Sequence, residues 1–239
     1  NCGWQVEPDD LGRPARVLVC LTPTLPVLHE AIDQGANLIL AHHPLVFKPL
    51  KALRRGNPVA EVLGLAWEQG MGIYTAHTNF DQAEDGTADV LAQVLNLQDP
   101  VPFVPTPAGP GYGRVGNLPQ PVALSTFLDQ VRQQLQVPQL LHAPLGAAAA
   151  LVNRVAVLGG SGAGFVAAAG RAGAQVYVTA DAKFHQFQEA QDWGVVLVDA
   201  GHYGTERPAC GRWVDKLTER GVEWVALSQT DEDFRVMAG

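Results

Sequence analysis

The stretch Asn37–Pro49 reads NLILAHHPLVFKP. Leu38, Ile39 and Leu40 form a short apolar run of the kind buried in a parallel sheet, and the run ends abruptly in two adjacent histidines, His42 and His43. Pro44 lacks an N–H and fixes its own φ, so the chain leaves the sheet there. Side chains alternate along a strand, but at a strand end followed by a turn both imidazoles can swing into one crevice. The carboxyl ends of parallel strands are where α/β proteins bind ligands. Neutral imidazole is the commonest metal-ligating side chain. In isolation, a His–His pair can equally be one packed, hydrogen-bonded ring beside a solvated one, so the rest of the chain must decide.

Before this stretch, Arg16–Leu21 (RVLVCL) reads as a buried strand and Leu25–Gln34 as a helix closed by Gly35, which makes a strand–helix–strand unit. After it come a helix over Pro58–Gln69, a strand over Gly72–Ala76 that runs into His77-Thr78-Asn79-Phe80-Asp81, and a helix over Thr87–Leu95. Residues 99–112 are rich in Pro and Gly and read as a linker. Beyond them, the pattern predicts a helix over Leu124–Leu135 capped near Ser125 and a short strand over Val137–Leu141. Strands follow at Arg154–Leu158, Gln175–Thr179, Val195–Val198 and Val222–Leu227. The helices between them lie after the Gly-rich Gly159–Gly164, over Phe184–Gln191 and over Ala209–Arg220.

The two ends of the chain repeat each other. Arg16 and Arg154 open equivalent strands 138 positions apart (154 minus 16), and Gly35 and Gly173 close the following helices at the same offset. At that offset His42 lies opposite Ala180 and His43 opposite Asp181. The expected fold is therefore α/β, with two similar lobes over 1–98 and 113–239, a linker over 99–112 and no inserted domain.

Composition narrows the function. A net charge of −8 argues against general affinity for nucleic-acid backbone or anionic membrane. No apolar run is long enough to span a bilayer, and the Ala-rich run at Gly146–Val152 is too short. No signal-peptide pattern opens the chain, and Asn1 falls in mid-pattern. Three sparse cysteines (Cys2, Cys20, Cys210) without Cys-x-x-Cys spacing suit a reducing, cytoplasmic home rather than disulfides or a zinc ribbon.

Three strand ends carry ligand-type side chains: His42 and His43, His77 and Asp81, His202 and Glu206. Four of the seven histidines fall at such positions, a concentration that chance seldom produces. Glu206 follows His202 by four residues and shares its face if that turn is helical. Imidazole and carboxylate without thiolate suit Zn, Mn, Fe, Ni or Co better than Ca. Five or so ligands exceed the needs of one catalytic zinc, so two divalent ions bridged by a carboxylate are the economical arrangement. Each residue also has an ordinary reading. Asp81 fits an N-cap or Asx turn, His77 a structural hydrogen bond, and Glu206 a first-turn acid near Pro208. His185, flanked by aromatics, suits packing better than ligation, with a supporting role at the metals as the other option.

Two further signals compete. Gly162-Ala163-Gly164-Phe165-Val166-Ala167 fits G-x-G-x-x-A after a strand, with Asp181 at the next strand end, which outlines a dinucleotide site. A tight strand-to-helix turn explains the same glycines. Lys48, Lys51, Arg54 and Arg55 form either a solvated face or a guide for an anionic substrate.

Taken together, NLILAHHPLVFKPL, TAHTNFD, GRVG, GGS, YVTADAKFH and DAGHYGTE, at 37–50, 75–81, 113–116, 159–161, 177–185 and 199–206, resemble the GTP cyclohydrolase I type 2 family, also called the Nif-three-like dinuclear metal-centre proteins. The resemblance covers nearly the whole chain. It implies two α/β lobes about a central cleft holding two divalent metal ions. The implied ligands are His42, His43, Asp81, His202 and Glu206, with Glu206 as the bridging carboxylate and Asp81 as the alternative. It further implies a toroidal homohexamer, and a hydrolase acting through a metal-bound water on a nucleotide or other small anionic substrate, in C–N or phosphoester hydrolysis. His77 and His185 are candidate proton shuttles there. The alternatives are a metal-binding regulatory ring with little turnover, or nucleotide binding at the Gly-rich turn without hydrolysis. The chain departs from the family pattern at Ala180, where Gly is usual, and ahead of Asn1–Gln5, where a helix is usual.

Overall fold

A computed structural model of the chain describes residues 1–107, 109–144 and 151–235. Most of the Ala-rich run, 146–150, lies outside them. In chain order the elements are β1 (Gly3–Val6), β2 (Arg16–Cys20), α1 (Leu25–Asp33), β3 (Leu38–Ala41), α2 (Pro58–Glu68), β4 (Gly72–Thr75), α3 (Thr78–Gln82) and α4 (Thr87–Val94). They continue with β5 (Gln98–Val101), β6 (Val104–Thr106), β7 (Gly109–Tyr112), β8 (Arg114–Ala123), α5 (Leu124–Gln134), β9 (Leu141–His142) and β10 (Leu151–Val157). A 3-10 turn then leads into α6 (Val166–Arg171), β11 (Val176–Thr179), α7 (Phe184–Asp192), β12 (Val196–Asp199), α8 (His202–Glu219) and β13 (Trp224–Leu227). Among the described residues two compact units result, one of Asn1–Phe80 with residues 210–235, the other of Asp81–Ala209.

The first unit holds a five-stranded sheet in the order β1-β4-β3-β2-β13. Strands β4, β3, β2 and β13 run parallel and β1 is antiparallel to β4. Helix α1 starts where Thr24 accepts from Val27 N–H and buries Val27, Leu28 and Ala31. Burial of an aliphatic side chain of that size contributes roughly 1.5–3 kcal/mol. Helix α2 is capped by Asn57, whose side chain accepts from Ala60 N–H. Both helices pack their apolar stripes into one core with Leu18, Ile39 and Ile73 of the sheet.

The second unit repeats this plan. Its six-stranded sheet, β5-β8-β10-β11-β12-β9, has β10, β11 and β12 parallel in sequential order, like β2, β3 and β4. Beyond β12 an antiparallel strand, β9, stands where β1 stands beyond β4. On the other flank the halves differ, since β13 is parallel to β2 whereas β8 is antiparallel to β10. The duplicated α/β architecture expected from the sequence is present down to single hydrogen bonds. Asn37 N–H donates to Arg16 O at 3.0 Å, and Gln175 N–H to Arg154 O at 2.9 Å. Ala36 N–H donates to Ala31 O, and Ala174 N–H to Ala169 O. The side-chain oxygens of Asn37 and Gln175 accept from the N–H groups of Arg16 and Arg154.

Some local expectations are corrected. Residues 99–112 are not featureless: they contribute to β5 and make the β6–β7 hairpin. Proline is tolerated there because an edge strand does not need every N–H. Helix α5 is preceded by Ala123 with no side-chain cap, so Ser125 lies inside the helix. The short strand expected at Val137–Leu141 forms only at Leu141–His142. Helix α8 begins seven residues before the predicted Ala209 and carries Pro208 in its interior. Among the described residues no helix is long and apolar enough to cross a membrane.

Candidate metal centre

In the first unit, β3 continues into His42 and His43, whose N–H groups donate to the carbonyls of Cys20 and Leu21 at 3.1 and 2.8 Å. The backbone is thus held to the end of β2 while Pro44 turns it away. His42 is buried, and its Nδ1 lies 2.9 Å from the carbonyl of Ala76. A carbonyl only accepts, so Nδ1 carries the proton and Nε2 keeps the lone pair. His43 Nδ1 lies 2.9 Å from Thr22 Oγ1, an arrangement that likewise assigns Nε2 to a ligand's role when the hydroxyl accepts. His77 leaves the end of β4, where Ala76 N–H donates to Ala41 O. The three rings form a triangle with centroids 5.2, 5.4 and 5.9 Å apart. One ligand atom from each falls within 4.8 Å of the other two. Three imidazolium cations at that spacing would repel strongly, whereas three neutral imidazoles suit a soft or borderline divalent ion.

The second unit assembles a different group. His202 and Glu206 lie one turn apart on α8, so the helical turn required for them to share a face is there. Glu206 is buried, and its Oε2 lies 2.9 Å from His202 Nε2. Asp181 Oδ2 takes the other ring nitrogen, Nδ1, at 2.6 Å. Glu206 foremost, aided by Asp181 and opposed by burial, pushes the His202 pKa up to about 9.

Three devices hold this group in place. Asp199, at the end of β12, accepts from Ala182 N–H with one oxygen and from Gly201 N–H with the other, so it binds two strand-end loops together. Thr205 Oγ1 accepts from Gly160 N–H at 3.0 Å. Gly160 has φ +64°, and a Cβ there would collide with Glu206 Oε1. Asp181 itself has φ +54°, in the left-handed region that Asp and Asn adopt more readily than other side chains.

Of the predicted site residues, His42, His43 and His77 therefore form one group, and His202 and Glu206 another. Asp81 is half-buried on α3, four residues after His77. His185 is exposed at the second position of α7, which corrects the packing role expected of it. The glycines of the G-x-G-x-x-A pattern have a packing explanation. Gly162 gives its carbonyl to the Tyr177 hydroxyl at 2.7 Å, and a Cβ on it would strike Leu158, Thr179 and Tyr177. Lys48, Lys51, Arg54 and Arg55 are exposed in the segment between β3 and α2. Sequence reasoning assigned no site role to Thr22, Gly160 or Asp199, and weighed Asp181 only as a dinucleotide-site acid. The available signal was Asp181 lying opposite His43 in the repeat.

Comparison with known proteins agrees with this architecture. Residues 1–233 match the family described as Duf34/NIF3 (NGG1p interacting factor 3). A protein of Nostoc sp. named GTP cyclohydrolase 1 type 2 homolog is 57% identical over 98% of this chain and 89% of its own length. One of the same name from Deinococcus radiodurans is 31% identical over 95% of this chain and 84% of its own. The crystal structure of a Bacillus cereus protein related to NIF3 superposes with a TM-score of 0.88 at 24% identity, covering 100% of this chain and 93% of that one, a likeness of fold.

Proposed function

The chain belongs to the Duf34/NIF3 family, and from that premise we propose that it is a dinuclear metal-dependent hydrolase. His42, His43, Asp81, His202 and Glu206 would hold two divalent ions, with Glu206 bridging. The observation that supports this reading is the orientation of the adjacent His42 and His43 rings, each hydrogen-bonded through Nδ1, to Ala76 O and Thr22 Oγ1 respectively, so that Nε2 is the atom offered to an ion. The donor chemistry fits Zn, Mn, Fe, Ni or Co, since nitrogen and carboxylate oxygen are offered without thiolate. Such ions supply a Lewis acid and a water acidified enough to attack at neutral pH.

The chain's own residues then have definite tasks. Ala76 O keeps the proton of His42 on Nδ1, and Thr22 Oγ1 does the same for His43 when its hydroxyl accepts. Asp181 fixes the ring of His202 through Nδ1. His77, within the imidazole group, and His185, exposed on α7, are the candidate proton carriers to and from substrate. Lys48, Lys51, Arg54 and Arg55 follow closely on His43, and a local concentration of cations in an acidic chain favours approach of an anion. A nucleotide is the substrate class that the relatives' name suggests, through opening of the GTP ring. A cytoplasmic homohexameric ring is the expected setting.

Turnover of GTP and of a panel of phosphoesters, measured before and after chelation, tests the reaction. The reading expects hydrolysis that chelation removes and that Zn, Mn or Fe restores. It expects His77→Ala to lower kcat by about a hundredfold or more. Full turnover in chelated protein would overturn it, and unchanged turnover in His77→Ala would remove that residue's role.

A further inference from the structure

The second unit contains an open cavity of about 640 Å³, within the range of small-molecule sites. Phe103, Phe165, Ala168 and Ala172 are among its apolar lining, and Arg154 and Arg171 supply its charge. Among the described residues no Asp or Glu lines it, in a chain whose net charge is −8. The internal repeat identifies what is missing there. The position equivalent to Ala168 in the first unit, 138 residues earlier, is Glu30. Glu30 accepts from the Ser228 and Thr230 hydroxyls and from the N–H groups of Gln229 and Thr230, so the segment after β13 closes that face. Arg16, equivalent to Arg154, lies 4.6 Å below the indole of Trp224 on β13. In the second unit the neighbour of Arg154 in the sheet is Asn117 of β8, not a tryptophan. Asp33 of α1 is matched by Arg171 of α6. Two acids are thus replaced by an alanine and an arginine, and the covering segment is replaced by a cavity.

We propose that this cavity binds a small amphipathic anion, a flat apolar group carrying a carboxylate, sulfonate or phosphate. The apolar body would lie between Phe103 and Phe165, and the anion on Arg154 and Arg171. Arg154 gives Nε to the Ala172 carbonyl at 2.9 Å and Nη1 to Asn117 at 3.4 Å, which leaves further guanidinium N–H groups for a ligand. Arg171 is exposed and lies over the Trp193 ring at 5.5 Å, with no carboxylate paired to it among the described residues. A planar guanidinium fork suits carboxylate, sulfonate or phosphate oxygens. Its lining shares no residue with the candidate metal centre.

The test titrates the native full chain with 8-anilinonaphthalene-1-sulfonate, followed by fluorescence and calorimetry, alongside N-phenyl-1-naphthylamine, which shares the rings but lacks the charge. One saturable site for the anionic probe is expected. Arg171→Gln weakens it about tenfold while leaving the neutral probe unaffected, as loss of one charge-assisted contact predicts. Ala168→Phe, which fills the cavity, abolishes binding of both probes without lowering Tm. The proposal is overturned if the native chain shows no saturable binding, or if both variants bind the anionic probe as the native chain does. It is equally overturned if Ala168→Phe changes the oligomeric state while probe binding persists, for the face would then be a contact between copies.

Discussion

The two halves of this chain share a scaffold and differ in what they mount on it. β2–α1–β3 and β10–α6–β11 repeat each other's backbone hydrogen bonds at a constant offset. Position 22 is a threonine that orients His43, whereas its counterpart 160 is a glycine that makes room for Glu206. Position 43 is itself an imidazole, whereas its counterpart Asp181 acts on an imidazole carried by α8. Position 75, at the end of β4, is a threonine whose hydroxyl has no hydrogen-bond partner among the described residues, whereas its counterpart Asp199 ties two loops together. Strand pairing and helix closure thus fix where side chains emerge, and the few residues at the strand ends determine their chemistry. One half offers its candidate ligands directly from the sheet. The other offers them from a helix that must be steadied.

That contrast can be broken most severely at Gly160. Gly160→Ala forces an unfavourable φ and a clash with Glu206, and should cost about 3 kcal/mol, read as a lowered denaturant midpoint. At the matched position, Thr22→Val removes only the bond to His43 Nδ1. It should change stability little while weakening metal affinity about tenfold or more. A Gly160→Ala protein as stable as the native one would refute the steric argument.

Asp199→Ala comes next, at roughly 2 kcal/mol, because two loop N–H groups lose a charged acceptor. Thr75→Val, in the equivalent place, should alter stability by no more than about 0.5 kcal/mol in either direction, since no hydrogen bond is lost. Equal costs for the two would show that the halves are not functionally distinct at these strand ends.

The smallest of the three losses concerns acid. Burial pushes the Glu30 carboxyl up, but the donors at Ser228, Gln229 and Thr230 more than offset it and hold its pKa below the usual value near 4.5. The sign follows from linkage. Stability from this group is fully present above that usual value and is lost as pH falls through the lower folded one. Glu30→Gln should therefore flatten the acid limb of Tm against pH, and should cost about 1 kcal/mol at neutral pH. An unchanged acid limb would contradict the assignment. Its counterpart Ala168 carries no carboxyl, so this part of the acid response belongs to the first half.

Much of this was legible in the sequence, for physical reasons. Apolar periodicity and glycine stops identified β2, β3, β4 and their counterparts, because burial selects the same residue types wherever a parallel strand is covered on both faces. His42, His43, His202 and Glu206 were legible as candidates because ligand-type side chains stand at or just after strand ends. The start of α8 was not. Pro208 resembles a first-turn proline, which suggests a helix beginning near it, yet the helix extends back to His202. The support for that extra turn, from Gly160 N–H to Thr205, is tertiary. Asp181 and Gly160 were hidden for a related reason. Their roles depend on a left-handed φ and on residues distant in sequence, which a pattern of types and spacings does not encode.

The central proposal is that His42, His43, Asp81, His202 and Glu206 hold two divalent ions. Elemental mass spectrometry of the native chain, His43→Ala and Glu206→Ala, each loaded with Zn, Mn or Fe and then desalted, tests it directly. The account predicts about two ions per native chain and loss of both ions in either variant, because a bridging carboxylate couples the sites. A native chain that retains no ion after loading would contradict the claim. So would variants that each lose one ion and keep the other unperturbed.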